Sequence, residues 1–298
     1  MLFPAWKNIS VLIAPHIPAV FSLSKSKKQI RVLSWNINAF DFLYQTALGP
    51  ATTEKRAAMK RFMDSLKADI ICFQDYSETP LGYIPVNLSY LKDSLAYPYH
   101  YLQLDAINYG TLILSRIPLI NQGYVRYLGK VYPESLVYVD IFSGKDTLRV
   151  YNTHLRSMYL RPQTVTIDNI GNLGRVKEDT AFLFHANRME RLQHFDRIHA
   201  DQAEMIKQVL SATKHPYIFC ADLNSVPSSY TYHHISEGLY DAFLEKGSGL
   251  GGTYYRFSPT LRIDVILTSP SIQTIQYYSP GLNLSDHYPI ITDIQLHN

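Results

Sequence analysis

Apolar and polar residues alternate with period two over residues 29–38, Gln-Ile-Arg-Val-Leu-Ser-Trp-Asn-Ile-Asn, which predicts a strand with a polar tip at Asn36 and Asn38. The period then lengthens. Met59, Phe62, Met63 and Leu66 fall on one face of a helix expected from a Thr53 cap to about Ala68. Ile70, Ile71, Cys72 and Phe73 follow as a buried strand ending in Gln74-Asp75-Tyr76. Residues 109–115 read as another strand, and residues 136–142 and 147–154 as a hairpin turning through Ser143-Gly144-Lys145, closed by His154.

Residues 156–177 lose periodicity and read as a long basic loop carrying Arg156, Arg161, Arg175 and Lys177. Helical patterning covers about residues 178–212, as one bent helix or two, with Leu192, Phe195, Ile198, Ala203, Ile206 and Val209 as the buried stripe. Residues 217–221 form a short apolar strand tipped by Asp222-Leu223-Asn224. Residues 253–255, 262–268 and 272–278 read as strands, and turn residues Ser279, Pro280, Gly281 and Asn283 lead to a last strand over residues 288–296.

One feature recurs: apolar runs end in Asn, Asp or His. Asn36, Asp75, His154, Asp222 with Asn224, and Asp286 with His287 occupy five strand ends, and Asp264 lies within an apolar strand. Each alone reads as a surface turn. A carboxylate inside an apolar strand is costly unless paired, and a histidine is its natural partner, one ring nitrogen bonded and the other left as a base.

No repeat, low-complexity segment or linker divides residues 29–298, so they read as one domain, α+β, with sheet packed on sheet and helices outside. Residues 1–28 form an N-terminal arm. Its residues 9–23 are largely apolar but hold Pro15, His16 and Pro18, short of the ~20 clean apolar residues of a spanning helix. Lys25, Lys27 and Lys28 follow as a basic flank. A packed or extended arm is the first expectation, a membrane-edge segment the second and a signal peptide the third.

Composition narrows this picture modestly. A net charge of +3 and a pI near 8.6 are too mild for the footprint of tight nucleic-acid binding, although an anionic substrate stays open. Cys72 and Cys220 sit inside apolar strands and read as small core residues. The 23 tyrosines include Tyr254 and Tyr255, which either border a groove or pack in the core. Gly247, Gly249 and Gly252 have the spacing of a dinucleotide fingerprint without its strand and helix, and His233-His234 point apart, as surface histidines do.

Six segments carry a resemblance: Trp35-Asn36-Ile37-Asn38, Phe73-Gln74-Asp75, Asn152-Thr153-His154-Leu155, Ala221-Asp222-Leu223-Asn224, Arg262-Ile263-Asp264-Val265-Ile266 and Ser285-Asp286-His287-Tyr288-Pro289-Ile290. In this order they resemble the signatures of the endonuclease/exonuclease/phosphatase superfamily, the DNase I-like phosphoesterases. The resemblance implies a four-layered α/β/β/α sandwich with the site at the top of two packed sheets. It also implies hydrolysis of a phosphate ester, a phosphodiester sooner than a monoester, with Mg²⁺ or Mn²⁺. Asn36 and Asp75 would hold the metal with Asp286 nearby, since hard oxygen ligands suit Mg²⁺. His287, oriented by Asp264, would be the general base or a donor to the phosphate. Asp222 would orient or deprotonate the attacking water, Asn224 would position nucleophile or phosphate, and His154 would donate to a phosphoryl oxygen.

Two departures stand out. Asp75 replaces the family's usual Glu, one methylene longer, with Glu78 a conceivable substitute; Ala221 replaces a common Gly. A nucleic-acid substrate would use Arg156, Arg161 and Arg175 against successive phosphates, whereas membrane contact through residues 9–23 would favour a lipid head group. The rival class is a binding scaffold of the same fold with impaired catalysis. A serine hydrolase on Ser285 and His287 lacks a nucleophile elbow.

Overall fold

The computed structural model describes residues 11–17, 19–38, 50–77, 87–104, 109–128, 134–144, 146–158, 187–255, 258 and 260–297. In chain order its main elements begin β1 (Ile30–Asn36), α1 (Pro50–Leu66), β2 (Ile70–Ser77), α2 (Asn87–Leu95), β3 (Tyr99–Leu104), β4 (Tyr109–Ser115), β5 (Leu119–Arg126), β6 (Ser135–Ser143) and β7 (Asp146–His154). They continue with α3 (Arg188–Ala212), β8 (Tyr217–Asp222), α4 (Tyr230–Ser236), β9 (Tyr240–Asp241), α5 (Ala242–Lys246), β10 (Asp264–Thr268), β11 (Ile272–Tyr278) and β12 (Ile290–Leu296).

Central strands with apolar residues on both faces must lie between two layers, and these do. In β2, Ile70 and Cys72 face one core while Ile71 and Phe73 face another. In β8, Ile218 and Cys220 face the first of these cores and Phe219 and Ala221 face a third. The shared core fills the space between two six-stranded sheets, ordered β11-β12-β1-β2-β4-β3 and β9-β10-β8-β7-β6-β5. Met59, Met63 and Leu66 of α1 and Leu91 and Leu95 of α2 cover the outside of the first sheet. Ala203, Ile206 and Leu210 of α3 and Tyr232 and Ile235 of α4 cover the outside of the second. The layers therefore run α/β/β/α, as expected.

Each sheet contains one parallel pair, β1 with β2 and β7 with β8; the remaining neighbours are antiparallel. A parallel pair needs a crossover, and α1 and α3 lie on those connections. Both pairs thus present their carboxyl ends at the same edge of the sandwich. There Gln74 donates to Asn152 Oδ1 at 2.7 Å and to Ser34 Oγ at 2.9 Å, and Asn152 donates to the Phe73 carbonyl at 2.9 Å, which ties the sheets together.

Several elements differ from expectation. Helix α1 begins at Pro50, a residue suited to the first helical position, so Thr53 lies inside the helix and does not cap it. Strands β3 and β5, which periodicity did not reveal, are sheet-edge strands with much of their surface open, so no apolar alternation marks them. Helix α3 is one helix, capped by Asn187 with a reciprocal bond from Glu190; residues 178–186 of the expected helix lie outside the described residues. Residues 253–255 form only a bridge, Tyr254 to His287. Strand β10 starts at Asp264, which makes Asp264 a strand tip and not a strand interior.

Residues 11–17 and 19–28 run along the domain. Ala14–Pro15 pairs with Ser248–Gly249, where Gly249 supplies a φ of 67°, so that glycine serves a chain reversal beside the arm. Phe21 stacks on Tyr278 at 4.9 Å. Buried Arg31 donates to the carbonyls of Ser22, Leu23 and Leu66 and makes a bidentate pair with Asp293 at 2.7 and 2.8 Å. No helix among the described residues is long and apolar enough to cross a membrane.

Candidate active site

The two parallel pairs end side by side, Asn36 against Gln74 in one sheet and His154 against Asp222 in the other. Antiparallel β10 sets Asp264 opposite Asp222, and the loop before β12 delivers Asp286 and His287. Asn38, Asp75 and Asn224 all adopt left-handed backbone, with φ of 44°, 47° and 46°. Asn and Asp accept that region more readily than other non-glycine residues, so these tips can reverse direction while keeping a polar side chain.

Asp222 is the centre. Its Oδ2 accepts from Asn36 Nδ2 at 2.8 Å and lies 3.5 Å from His154 Nε2 and 3.7 Å from His287 Nε2. Its Oδ1 accepts from the Asn224 backbone at 2.9 Å. Burial, then the neighbouring Asp264 carboxylate, pushes the Asp222 carboxyl up, against the pull of both histidines.

His287 is fixed on several sides. Nδ1 lies 2.8 Å from Asp264 Oδ2, the Trp35 indole donates to its carbonyl at 2.9 Å, and the Tyr254 ring stands 4.7 Å away. The Ser285 hydroxyl donates to the Asn36 carbonyl at 2.7 Å, which joins the loop to β1. Burial opposes a charged imidazole, but Asp264, Asp222 and Asp286 together outweigh it and raise the His287 pKa to about 10.

His154 is held differently. Nδ1 faces Asp75 Oδ1 at 3.3 Å, across a bulge that interrupts β2 between Phe73 and Tyr76. The Asn224 amide nitrogen donates to the Leu155 carbonyl at 2.9 Å and lies 2.8 Å from His154 Nε2. An amide nitrogen only donates, so Nε2 accepts and Nδ1 carries the proton toward Asp75.

The structure therefore gathers Asn36, Asp75, His154, Asp222, Asn224, Asp264 and His287 into one cluster, with buried Asp286 beside them. Arg156 is buried and donates to Glu134 at 3.2 Å, while Arg161, Arg175, Lys177 and Glu78 lie outside the described residues. The supporting contacts of Ser285, Thr253 and Trp35 are not legible in the sequence, because neither a hydroxyl nor an indole N–H has a sequence periodicity. His199 was missed, although its place four residues after Phe195 and four before Ala203 puts a histidine on a buried stripe. Its Nε2 lies 2.6 Å from the Arg156 carbonyl and its Nδ1 2.8 Å from Ser225 Oγ, and burial lowers its pKa. Tyr255 stacks on Tyr288 at 4.8 Å, and His234 pairs with Glu204, away from any metal-like group.

The donor chemistry suits a hard divalent cation. Asp264 Oδ1 is buried with no hydrogen-bond partner, and Asp222, Asp264 and His287 bring ligand atoms within 4.8 Å of one another. The expected holders Asn36, Asp75 and Asp286 border the same cluster.

The model of the Endonuclease/Exonuclease/phosphatase family matches residues 33–287. The chain belongs to this family. Membership makes it a phosphoesterase in general class, on a fold that generally works with divalent metal. No curated protein sequence matches the chain. Among solved structures, an endonuclease/exonuclease/phosphatase from Beutenbergia cavernae is 18% identical, with a TM-score of 0.63 over 91% of this chain and 72% of that one. The human Nocturnin catalytic domain with bound sulfate anion is 17% identical, with a TM-score of 0.63 over 90% and 94%. D. rerio TDP2 complexed with single-strand DNA product is 14% identical, with a TM-score of 0.62 over 90% and 100%. These likenesses fix the family fold and leave the substrate to the site.

Proposed function

We propose that the chain hydrolyses a phosphodiester with Mg²⁺ or Mn²⁺. One observation carries the reading: buried Asp222 lies between two histidines, each held on its far side by an aspartate. Asn36, Asp75, Asp286 and the unpartnered Oδ1 of Asp264 would hold the metal. Bound there, it would supply Lewis acidity at the phosphate and at the departing oxygen.

Asp222 would orient the attacking water and take its proton, a task helped by the raised affinity that burial gives its carboxyl. His287, kept protonated at neutral pH by its carboxylate neighbours, would donate Nε2–H to a phosphoryl oxygen, so of its two expected roles the donor is favoured over the base. Asn224 would place the phosphate or the water beside Asp222, and His154 would donate to the second phosphoryl oxygen once the Asn224 amide yields Nε2 and that nitrogen takes up a proton. Arg161 and Arg175 are proposed to bind further phosphates of the substrate, with Arg156, committed to Glu134, bracing the start of that segment.

Purified protein with Mn²⁺ should cleave a generic phosphodiester faster than the matching monoester, and His287→Ala should remove the activity. Full turnover by that variant would overturn the mechanism. Asp75 favours a second reading, a binding scaffold with impaired catalysis, because this short carboxylate is turned onto His154. That reading requires no calorimetric heat on Mg²⁺ addition and no gain in rate from Asp75→Glu.

A further inference from the structure

We propose that the arm over residues 11–17 and 19–28 is a docking surface for an anionic lipid bilayer and thereby raises turnover of a phosphodiester carried in that bilayer. The second half of this rests on the phosphodiesterase reading.

The arm is pinned through its backbone and a few side chains. Ala14–Pro15 pairs with Ser248–Gly249, His16 Nε2 lies 2.9 Å from the Leu244 carbonyl, and Phe21 stacks on Tyr278. Ser22 exchanges two hydrogen bonds with the Gln276 amide, at 3.0 and 2.9 Å. Val11 packs against the core, but four other large apolar side chains of the arm are exposed. Ile13, Ile17, Val20 and Leu23 are 47, 90, 97 and 60% exposed, and Leu250 and Tyr278, neighbours of the arm's contacts, are 45 and 39% exposed. Single exposed apolar residues need no explanation, but a run of them on a strap whose backbone is already held does.

Charge identifies the occupant. No Asp or Glu occurs between Met1 and Lys28, whereas Lys7, Lys25, Lys27 and Lys28 do. Lys27 and Lys28 are exposed, and Lys25 is shared with Asp69 at 2.9 Å. Side chains as open as Ile17 and Val20 protrude and do not line a concave seat, which suits a fluid acyl boundary better than a protein pocket. Apolar projections bordered by lysines match a layer of hydrocarbon beneath anionic head groups.

Position links this surface to the site. Ser248–Gly249 leads into Thr253 and Tyr254, the residue bridged to His287. Tyr278 ends the strand that runs into the Asp286-His287 loop. The Val11 carbonyl accepts from Arg262, just ahead of Asp264. These three contacts lie beside segments that frame the catalytic cluster, and from them the arm runs down the β11 side to Lys25, Lys27 and Lys28, which precede β1 at the opposite edge, so a bilayer on the arm lies along that side of the sandwich.

The test is co-sedimentation of the full chain with vesicles of phosphatidylcholine mixed with phosphatidylserine, beside vesicles of phosphatidylcholine alone, without added metal. The mixed vesicles should retain the protein. The double variant Ile17→Asp, Val20→Asp should bind about tenfold more weakly or less, and Lys27→Glu, Lys28→Glu should lose about tenfold and the preference for phosphatidylserine. Both variants should cleave a soluble phosphodiester at the wild-type rate, while a phosphodiester lipid in the mixed vesicles is cleaved faster by wild type. Failure of the full chain to bind mixed vesicles, or wild-type binding by the Ile17→Asp, Val20→Asp variant, overturns the docking surface. Binding without cleavage of any phosphodiester leaves the docking surface standing and sinks the phosphodiesterase reading instead.

Discussion

Two histidine–aspartate pairs face each other across Asp222, and they are built unequally. Each joins the two sheets: His287 precedes β12 while Asp264 opens β10, and His154 closes β7 while Asp75 sits in β2. The first pair is 2.8 Å apart, with side chains 6 and 3% exposed; the second is 3.3 Å apart, with 9 and 22%. Around His287, an indole, a tyrosine ring and the Thr253 hydroxyl that receives the Asp264 backbone N–H restrict every direction. Around His154, a bulge and an amide shared with Leu155 leave room for adjustment. The difference assigns fixed electrostatic work to His287 and accommodation of substrate to His154.

The most damaging change should be one that removes what the pairs share. Asp222→Ala deletes the acceptor for Asn36 and the carboxylate between both imidazoles, and kcat should fall by about 10⁴-fold in Mn²⁺ with circular dichroism unchanged. A residual rate within tenfold of wild type would mean that Asp222 only braces the strand tips. Next in size is the asymmetry itself. His287→Ala should cost about 10³-fold in kcat and His154→Ala about 10²-fold, the latter with a rise in KM as well. Equal losses, or the reverse order, would break the comparison.

The tight pair was also the more legible one. Asp264 in an apolar run demands a partner on grounds of cost alone, and a histidine was the expected one, although its place at the strand tip appeared only with the register of β10 against β8. The layered fold was readable wherever a strand is buried on both faces, as in β2 and β8, and unreadable at the edges, where β3 and β5 need no apolar alternation. The loose pair was hidden because its geometry depends on a bulge at Asp75, a long-range consequence of pairing with β4 that no local pattern encodes. Ser285, Tyr254 and His199 depend in the same way on which segments meet.

Asp75 sharpens the comparison further, because it is asked to serve both His154 and the metal. Asp75→Asn should raise the Mn²⁺ concentration for half-maximal activation about tenfold and weaken Mn²⁺ binding measured by calorimetry to the same degree. Combined with His154→Ala, it should cost less in kcat than the two single losses added, since one contact is shared. Simple additivity would separate Asp75 from His154 and leave it to the metal alone.

The smallest expected effect concerns what supports the looser side. His199 donates Nε2–H to the carbonyl of Arg156 and accepts at Nδ1 from Ser225, so a neutral ring braces the exits of both His154 and Asn224. Burial lowers its pKa below the ordinary 6.5. The sign follows from linkage: the unfolded chain binds this proton more readily than the folded one, so the stability at stake is complete above about pH 6.5 and is lost as pH falls from there toward the folded pKa. The slope from one such group reaches at most about 1.4 kcal/mol per pH unit. His199→Gln can retain the donor to Arg156 without the titration. Urea unfolding from about pH 7.5 to about pH 5.5 should therefore show wild type losing stability relative to the variant as pH falls. His287 stays charged in the folded chain while its unfolded counterpart titrates near 6.5, so it adds an opposing slope that is the same in both proteins, and parallel curves would show that the His154 side does not rest on a neutral His199.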